Sequence, residues 1–265
     1  MTSAPATRAL AAAAAAGAVL LSACGDGGSD GSDGGRDGAG GDRTLTVLAA
    51  ASLTEAFDEI GEVYTSERDG VEVRLAYDSS AVLAQQVVQG NPADVLATAD
   101  VTTMQTVAEA GMLDGTPRPF ATNTLVIVTP PDNPGSVRGI DDLGEASFAV
   151  CVPEAPCGDA AATLLELDGN DATPTTEEQN VRGVLTKVTL GEVDAGLVYR
   201  SDARAAGDAV ATVEAANASE VVNVDPIAVL DASELEADAE AFVDLVVSDR
   251  GQQILADHGF GPAPS

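Results

Sequence analysis

An α/β fold built on mixed, mostly parallel sheets flanked by helices is predicted by three observations. Strand-like and helix-like segments alternate from residue 44 to residue 257. The first strand, Thr44–Ala50, is an apolar run rather than an alternation, as a strand covered on both faces requires. The third is content: 45% of the 265 residues are hydrophobic, enough to fold around a substantial core.

The elements follow in order. After Thr44–Ala50, the segment Ser52–Arg68 carries Leu53, Ala56, Phe57, Ile60, Val63 and Tyr64 at helical spacing. Val71–Ala76 reads as a second strand, Ser80–Gln89 as a second helix and Asp94–Ala97 as a third strand. Val101–Ala110 is helical and stops at Gly111. Leu125–Thr129 opens a new set, followed by the turn-rich Pro130–Gly135. Ser147–Val152 is a strand, and helices are predicted from Gly158–Leu167 and Glu177–Leu190, the latter with Val181, Val184, Leu185 and Val188 in one stripe. Strands at Ala195–Tyr199, Val221–Val224 and Ile227–Leu230 precede two closing helices, Glu236–Val247 and Asp249–Asp257. Sheets of this kind bind ligands at the carboxyl ends of strands, where helices begin.

Composition excludes several classes. With 12 Lys+Arg against 43 Asp+Glu the net charge is −31, which repels phosphate backbones, so no nucleic-acid partner is expected. One histidine and three cysteines cannot build a multi-histidine or four-thiolate metal site.

The first 43 residues read as processing and tether. Residues 1–23 resemble an export signal: Arg8 precedes an apolar run from Ala9 to Leu21 that is short for a membrane span. The run ends in Leu21-Ser22-Ala23-Cys24, which resembles the lipobox of bacterial lipoproteins and implies lipidation of Cys24. Residues 25–42 hold nine Gly and five Asp, a composition that cannot offset its ordering entropy. Residues 24–43 are therefore expected to be a lipidated cysteine and flexible tether. Gly27-Gly28-Ser29-Asp30-Gly31 matches a hydrolase pattern only formally, since no strand precedes it and no helix follows.

The strand–helix junctions carry the functional signal. Ser52, the Ser79-Ser80 pair, Ala155-Pro156-Cys157-Gly158 and Asn180-Val181-Arg182 each stand where a helix begins or lies close by. Helix starts offer free backbone N–H groups and a positive dipole end, which attract anions. Other roles fit these residues equally well: Ser52 with Glu55 forms an S-x-x-E capping box, Ser79 or Ser80 fits a cap, and Tyr199 fits a half-buried core position.

Along the chain a series of motifs runs Ala49-Ala50-Ala51-Ser52-Leu53-Thr54, Tyr77-Asp78-Ser79-Ser80, Gly90-Asn91-Pro92-Ala93-Asp94-Val95, Asn123-Thr124-Leu125-Val126, Val152-Pro153-Glu154-Ala155-Pro156-Cys157-Gly158, Asn180-Val181-Arg182 and Gly196-Leu197-Val198-Tyr199-Arg200, ending in His258-Gly259-Phe260. In this order they resemble the periplasmic molybdate-binding proteins of ABC importers. The resemblance spans Leu45 to Phe260. It implies the two-lobed type II periplasmic-binding-protein fold, with residues 44–122 and 225–265 as lobe I, residues 123–224 as lobe II and the ligand in the cleft between them. It implies an oxyanion held by Ser52 and Ser80 through hydroxyl and N–H, by Cys157 and Val181 through N–H, and by Tyr199 through its hydroxyl. Counting back from Leu83 selects Ser80 over Ser79, and Asp78 is expected to point away.

The activity implied is capture of molybdate or tungstate and delivery to an ABC permease by a monomeric, extracytoplasmic protein anchored through Cys24. No catalysis and no cofactor are implied, and molybdenum enters only inside its oxyanion. Cys157 departs from the family, which usually has a small residue such as Ala there; a backbone donor survives that change. Cys151 and Cys157 are separated by five residues including Pro153 and Pro156, and in an exported protein they are expected to form a disulfide.

Three alternatives carry different expectations. Sulfate or another tetrahedral oxyanion would differ by size selection alone. A surface-anchored serine hydrolase using Ser52 or Ser80 needs a base, and the candidates are His258, which is expected to meet the negative end of its own helix, and Lys187. An adhesion or scaffolding lipoprotein fits the tether and acidity but leaves the ordered motifs without a role.

Overall fold

The computed structural model describes residues 43–264. The signal segment, Cys24 and nearly all of the tether lie outside them. The described chain opens with β1 (Arg43–Ala50), a 3-10 turn at Ala51–Leu53, α1 (Thr54–Ser66), β2 (Val71–Asp78), α2 (Ser80–Val88), β3 (Val95–Ala97) and α3 (Val101–Glu109). It continues through β4 (Leu113–Thr129), β5 (Phe148–Cys151), α4 (Pro156–Leu167), β6 (Thr176–Glu178), α5 (Val181–Thr189), β7 (Ala195–Tyr199) and α6 (Arg200–Ala206). It closes with β8 (Ala211–Val213), β9 (Val222–Leu230), α7 (Glu236–Val247), α8 (Asp249–Asp257) and β10 (Gly261–Pro262).

The strands form one mixed sheet in the order β2-β1-β3-β9-β4-β7-β5-β6, with β8 and β10 also paired to β4. Parallel pairing is confined to the two outer groups, β2-β1-β3 and β7-β5-β6. The strands between them, β9 and β4, are antiparallel to their neighbours. Helices cover both groups, and every β-to-α junction of β1, β2, β5 and β7 falls at the carboxyl end of a parallel strand.

Two long strands join the groups, and the apolar pattern marks only the end of one and divides the other. β4 runs for 17 residues, whereas its apolar signal covers only Leu125–Thr129. Its first part contains Gly115, Pro117 and Pro119, residues that ordinarily break a strand. Register shifts between Asp114 and Arg118 and between Pro119 and Ala121 absorb them. β9 is likewise one strand through Pro226, which stands opposite Pro119 and offers its carbonyl to Thr98 N–H at 3.0 Å.

Two further elements differ from expectation. The helix predicted from Glu177 begins at Val181, because Thr176–Glu178 pairs with β5 as a parallel strand instead. Arg200–Ala206 forms a helix that the apolar pattern did not mark. The core is continuous across the β4–β9 region, and Phe57, Phe120, Tyr64 and Phe242 pack ring against ring beneath α1 and α7, with centroids 5.5–6.0 Å apart.

Candidate anion-binding site

The ends of β1, β2, β5 and β7 point at one small cavity. Ser52, Ser80, Cys157, Val181 and Tyr199 all line it, together with Asp78, Ser79 and Asn180. Its room for water centres is about 20 Å³, and one water needs ~10–15 Å³ on that measure. The cavity suits a compact group of a few atoms, not a sugar or a peptide. No lysine or arginine is among its lining residues.

Each lining residue arrives for a local reason. Ser80 and Val181 are the first residues of α2 and α5, and Cys157 follows Pro156 at the start of α4, so their N–H groups have no carbonyl one turn earlier to bond. Proline suits the first helical position because its missing donor costs nothing there. Ser52 sits in the 3-10 turn before α1 and caps nothing, and Glu55, its expected capping-box partner, pairs with Arg182 instead. Its hydroxyl and that of Tyr199 are buried at 4% and 1% exposure with no hydrogen-bond partner. Buried hydroxyls are ordinarily satisfied, and an orphaned one costs about 1–3 kcal/mol.

Ser80 differs. Its Oγ accepts Ala99 N–H at 3.0 Å, which leaves its own proton to donate. Ser79 N–H is already given to Asp78 Oδ1 at 2.7 Å. Of the two neighbouring serines, Ser80 therefore keeps the uncommitted backbone donor.

A disulfide joins Cys151, at the end of β5, to Cys157, with Cα atoms 5.7 Å apart. The next residue has to be glycine: a Cβ at Gly158 would fall 2.0 Å from the Val152 carbonyl oxygen. That contact seats the start of α4 against the end of β5 and fixes the direction of the Cys157 N–H.

The sequence profile of the family described as bacterial extracellular solute-binding protein matches residues 45–261. The chain belongs to that family. Among its relatives, the molybdate-binding protein ModA of Mycobacterium tuberculosis is 44% identical over 222 residues, which is 83% of this chain and 85% of that one. ModA of Escherichia coli is 31% identical over 229 residues, 82% of this chain and 88% of the other. The periplasmic molybdate-binding protein of Azotobacter vinelandii shares the fold at a TM-score of 0.72 and 19% identity, covering 83% of this chain and all of that one.

The fold is of the two-lobed periplasmic-binding-protein type, and the cavity lies where two groups of elements meet. Asn180 Nδ2 donates to Asp78 Oδ1 at 3.1 Å, and Arg182 pairs with Glu55, so α5 is tied to β2 and to α1. Asp78 thus lines the cavity rather than turning away, and its Oδ1 is committed to Ser79 and Asn180. Neither Asp78 nor Asn180 had a binding role in the sequence reading. The helix predicted from Glu177 places Asn180 inside it, whereas Asn180 caps α5, its Oδ1 accepting Gly183 N–H at 3.1 Å; asparagine's preference for that position is the signal that could have found it, and nothing local marks its partner across the site.

Electrostatics keep the donors protonated. Burial, then the charges of Asp225, Asp100, Asp202 and Asp159, push the Tyr199 phenol well above its ordinary value. Asp202 accepts Tyr199 N–H at 3.2 Å, and burial pushes its carboxyl up to about 7 against the opposing pull of Arg182. The candidate hydrolytic bases lie elsewhere. His258 ends α8 and meets Glu59 at 2.9 Å, and Lys187 meets Glu192 at 2.7 Å. Among the described residues no helix is long and apolar enough to cross a membrane.

Proposed function

We propose that this solute-binding protein captures molybdate, or tungstate of the same shape and charge, and hands it to an ABC permease. The observation carrying this reading is the pair of orphaned hydroxyls, Ser52 and Tyr199, buried in a cavity that three helix starts and a 3-10 turn also face. Ser52, Ser80, Cys157, Val181 and Tyr199 present donors with fixed positions, and a tetrahedral dianion offers four acceptor oxygens; Asp78 is the one carboxylate among the lining residues. Hydrogen bonds to a charged partner contribute about 1.5–3 kcal/mol each, and exclusion of water strengthens them. No cation is needed.

A donor cage favours an anion that carries no proton. Hydrogen phosphate needs an acceptor for its O–H, and the one carboxylate on the wall, Asp78, has Oδ1 taken by two hydrogen bonds, which leaves only Oδ2 for it. The 44% identity to a protein named for molybdate supports the choice of ligand. In this reading residues 44–122 and 225–265 form one lobe and residues 123–224 the other. The protein works as an extracytoplasmic monomer held by a lipid on Cys24, with residues 24–43 as tether. It performs no chemistry.

The test is a thermal-shift titration of the full chain with molybdate, tungstate, sulfate and phosphate. Ligand at 100 times its Kd adds about 2.7 kcal/mol of stability. Molybdate and tungstate should raise the midpoint at micromolar levels, with sulfate needing far more and phosphate inert. Equal response to sulfate would make the protein a general oxyanion carrier, and no response to any of the four would end the reading.

A further inference from the structure

Beside Tyr199 the fold buries charge that the cavity does not use. Asp225 lies on β9 opposite Ala121 of β4, where the two long strands run side by side. It is fully buried, and neither of its carboxylate oxygens has a hydrogen-bond partner. Asp202, in the first turn of α6, is buried at 1% and leaves Oδ1 unpartnered. The buried amide of Asn123 gives its donor to Ser201 Oγ at 2.8 Å, not to either carboxylate.

The charges around Asp225 make its ionised form worse. Asp202 of α6 and Asp100 at the start of α3 act on it, and both are negative. The uncharged phenol of Tyr199 is held by the same three carboxylates and by Asp159 of α4. The cation acting on Asp202 is Arg182 of α5, which is already paired with Glu55 of α1. An ionised carboxylate without donors in so dry a place is strongly disfavoured, and a dianion bound against Tyr199, the cavity residue on which Asp225 acts, adds two more like charges.

We propose that Asp225 is a proton-binding site coupled to the anion cavity, so that the oxyanion and one proton are taken up together. This inference rests on the oxyanion reading given above. Buffer acid supplies the proton, which forms an O–H bond on the Asp225 carboxylate and leaves the conjugate base in solution. The complex then gains two negative charges from the anion and loses one. Coupling of this kind is reciprocal: a proton on Asp225 favours the anion as much as the anion favours the proton. Affinity therefore rises as pH falls, over the range in which Asp225 is ionised in the free protein and protonated in the bound one. Burial and the neighbouring carboxylates push this carboxyl well above the ordinary range, which brings that window toward neutral pH.

Calorimetric titration of the full chain with sodium molybdate decides the matter. Across a series from about pH 6 to about pH 8, two buffers of different ionisation enthalpy should give different heats, up to one proton being absorbed per anion wherever Asp225 is ionised in the free protein, and affinity should rise as pH falls. Asp225→Asn keeps the shape and removes the charge; it should absorb clearly less proton per anion and show a shallower rise of affinity toward acid, what remains being the share of Asp202. Asp202→Asn, which leaves Asp225 in place, should still absorb a proton. Molybdate binding with the same heat in both buffers would overturn the inference while leaving the oxyanion reading intact. Undiminished proton uptake in Asp225→Asn would overturn it as well. No binding of molybdate at any pH of the series would overturn both. The wild-type buffer comparison needs no variant, so the test stands even if Asp225→Asn fails to fold.

Discussion

Asn180 caps α5 with one side-chain atom and reaches Asp78 with the other. Its Oδ1 accepts Gly183 N–H at 3.1 Å while Nδ2 donates to Asp78 Oδ1 at 3.1 Å. One residue therefore sets both the start of the helix that carries the Val181 N–H and the distance of that helix from the end of β2. The two tasks can be separated by mutation.

Asn180→Asp keeps the capping acceptor and replaces the donor with a second carboxylate facing Asp78. Stability of the free protein should change by under about 1 kcal/mol, because the cap survives. Molybdate should leave faster and bind roughly tenfold to a hundredfold more weakly, since like charges now oppose closure of the site. Asn180→Ala should cost stability as well, about 1 kcal/mol. Stopped-flow dissociation alongside thermal melts measures both quantities; an unchanged release rate in Asn180→Asp would show that the contact does not hold the site closed.

Ser52→Ala and Tyr199→Phe remove hydroxyls that are buried without partners in the ligand-free protein. Deleting an orphaned polar group relieves its desolvation cost, so each variant should be as stable as the parent or more so, by up to about 1 kcal/mol. Each should also lose about 1.5–3 kcal/mol of anion affinity, roughly tenfold to a hundredfold. Melting curves and anion titrations of the same preparations would show stability and affinity moving in opposite directions. A parallel loss of both would mean that the hydroxyls serve the fold.

Much of this arrangement was legible in the sequence, and what was not has physical causes. Short apolar strands running into helix starts mark the junctions at Ser52, at Ser79-Ser80 and at residues 155–158, and the family resemblance selects Ser52, Ser80 and Cys157 among them. The pattern marks only the end of β4 and splits β9 because Pro117, Pro119 and Pro226 look like breakers, and only the facing strand reveals the register shifts that absorb the prolines of β4. Thr176–Glu178 has no apolar alternation, so its pairing with β5 was invisible. The Asp78–Asn180 contact spans 102 residues, and the burial of Asp202 and Asp225 depends on what the fold brings over them. Local pattern carries no record of such long-range contacts.

The Cys151–Cys157 disulfide closes a short loop at the cavity wall. Its removal, by reduction or by the double substitution to serine, should lower stability by about 2 kcal/mol on the loop-entropy account. For a chain of this size that is roughly 4–8 °C in Tm. The Cys157 N–H is also freed to wander, so molybdate affinity should fall alongside. A reduced protein with unaltered affinity would show that Gly158 packing alone orients the donor.

Net charge works against capture. A body with formal charge −31 repels a dianion at long range. The association rate of molybdate should therefore increase as ionic strength rises from about 0.01 M to about 0.15 M, as the screening length shrinks from roughly 30 Å to 8 Å. The release rate, set by contacts inside the cavity, should hardly move. Rapid-mixing kinetics at a series of salt concentrations tests this; a steep fall in association rate would require a positive approach path that the lining residues do not provide.

Asp202 makes stability depend on pH with a definite sign. Its carboxyl rises to about 7 in the folded protein through burial, above its ordinary carboxylate value. Between those two values the folded state holds a proton that the unfolded chain has released, so stability falls as pH rises through that window. Each pH unit within it costs about 1.4 kcal/mol for one such group. Ligand-free protein should therefore melt highest under mildly acid conditions and lose stability steadily toward pH 7. Self-repulsion among the surface carboxylates pulls in the same direction, so the slope alone does not identify Asp202. Asp202→Asn separates the two. It keeps an oxygen for the Tyr199 N–H and removes the titration, and the slope between about pH 4 and pH 7 should flatten by that one group's share. Chemical denaturation at several pH values gives the slope directly, and an unchanged slope in Asp202→Asn would mean that the buried carboxyl ionises as freely in the fold as in water.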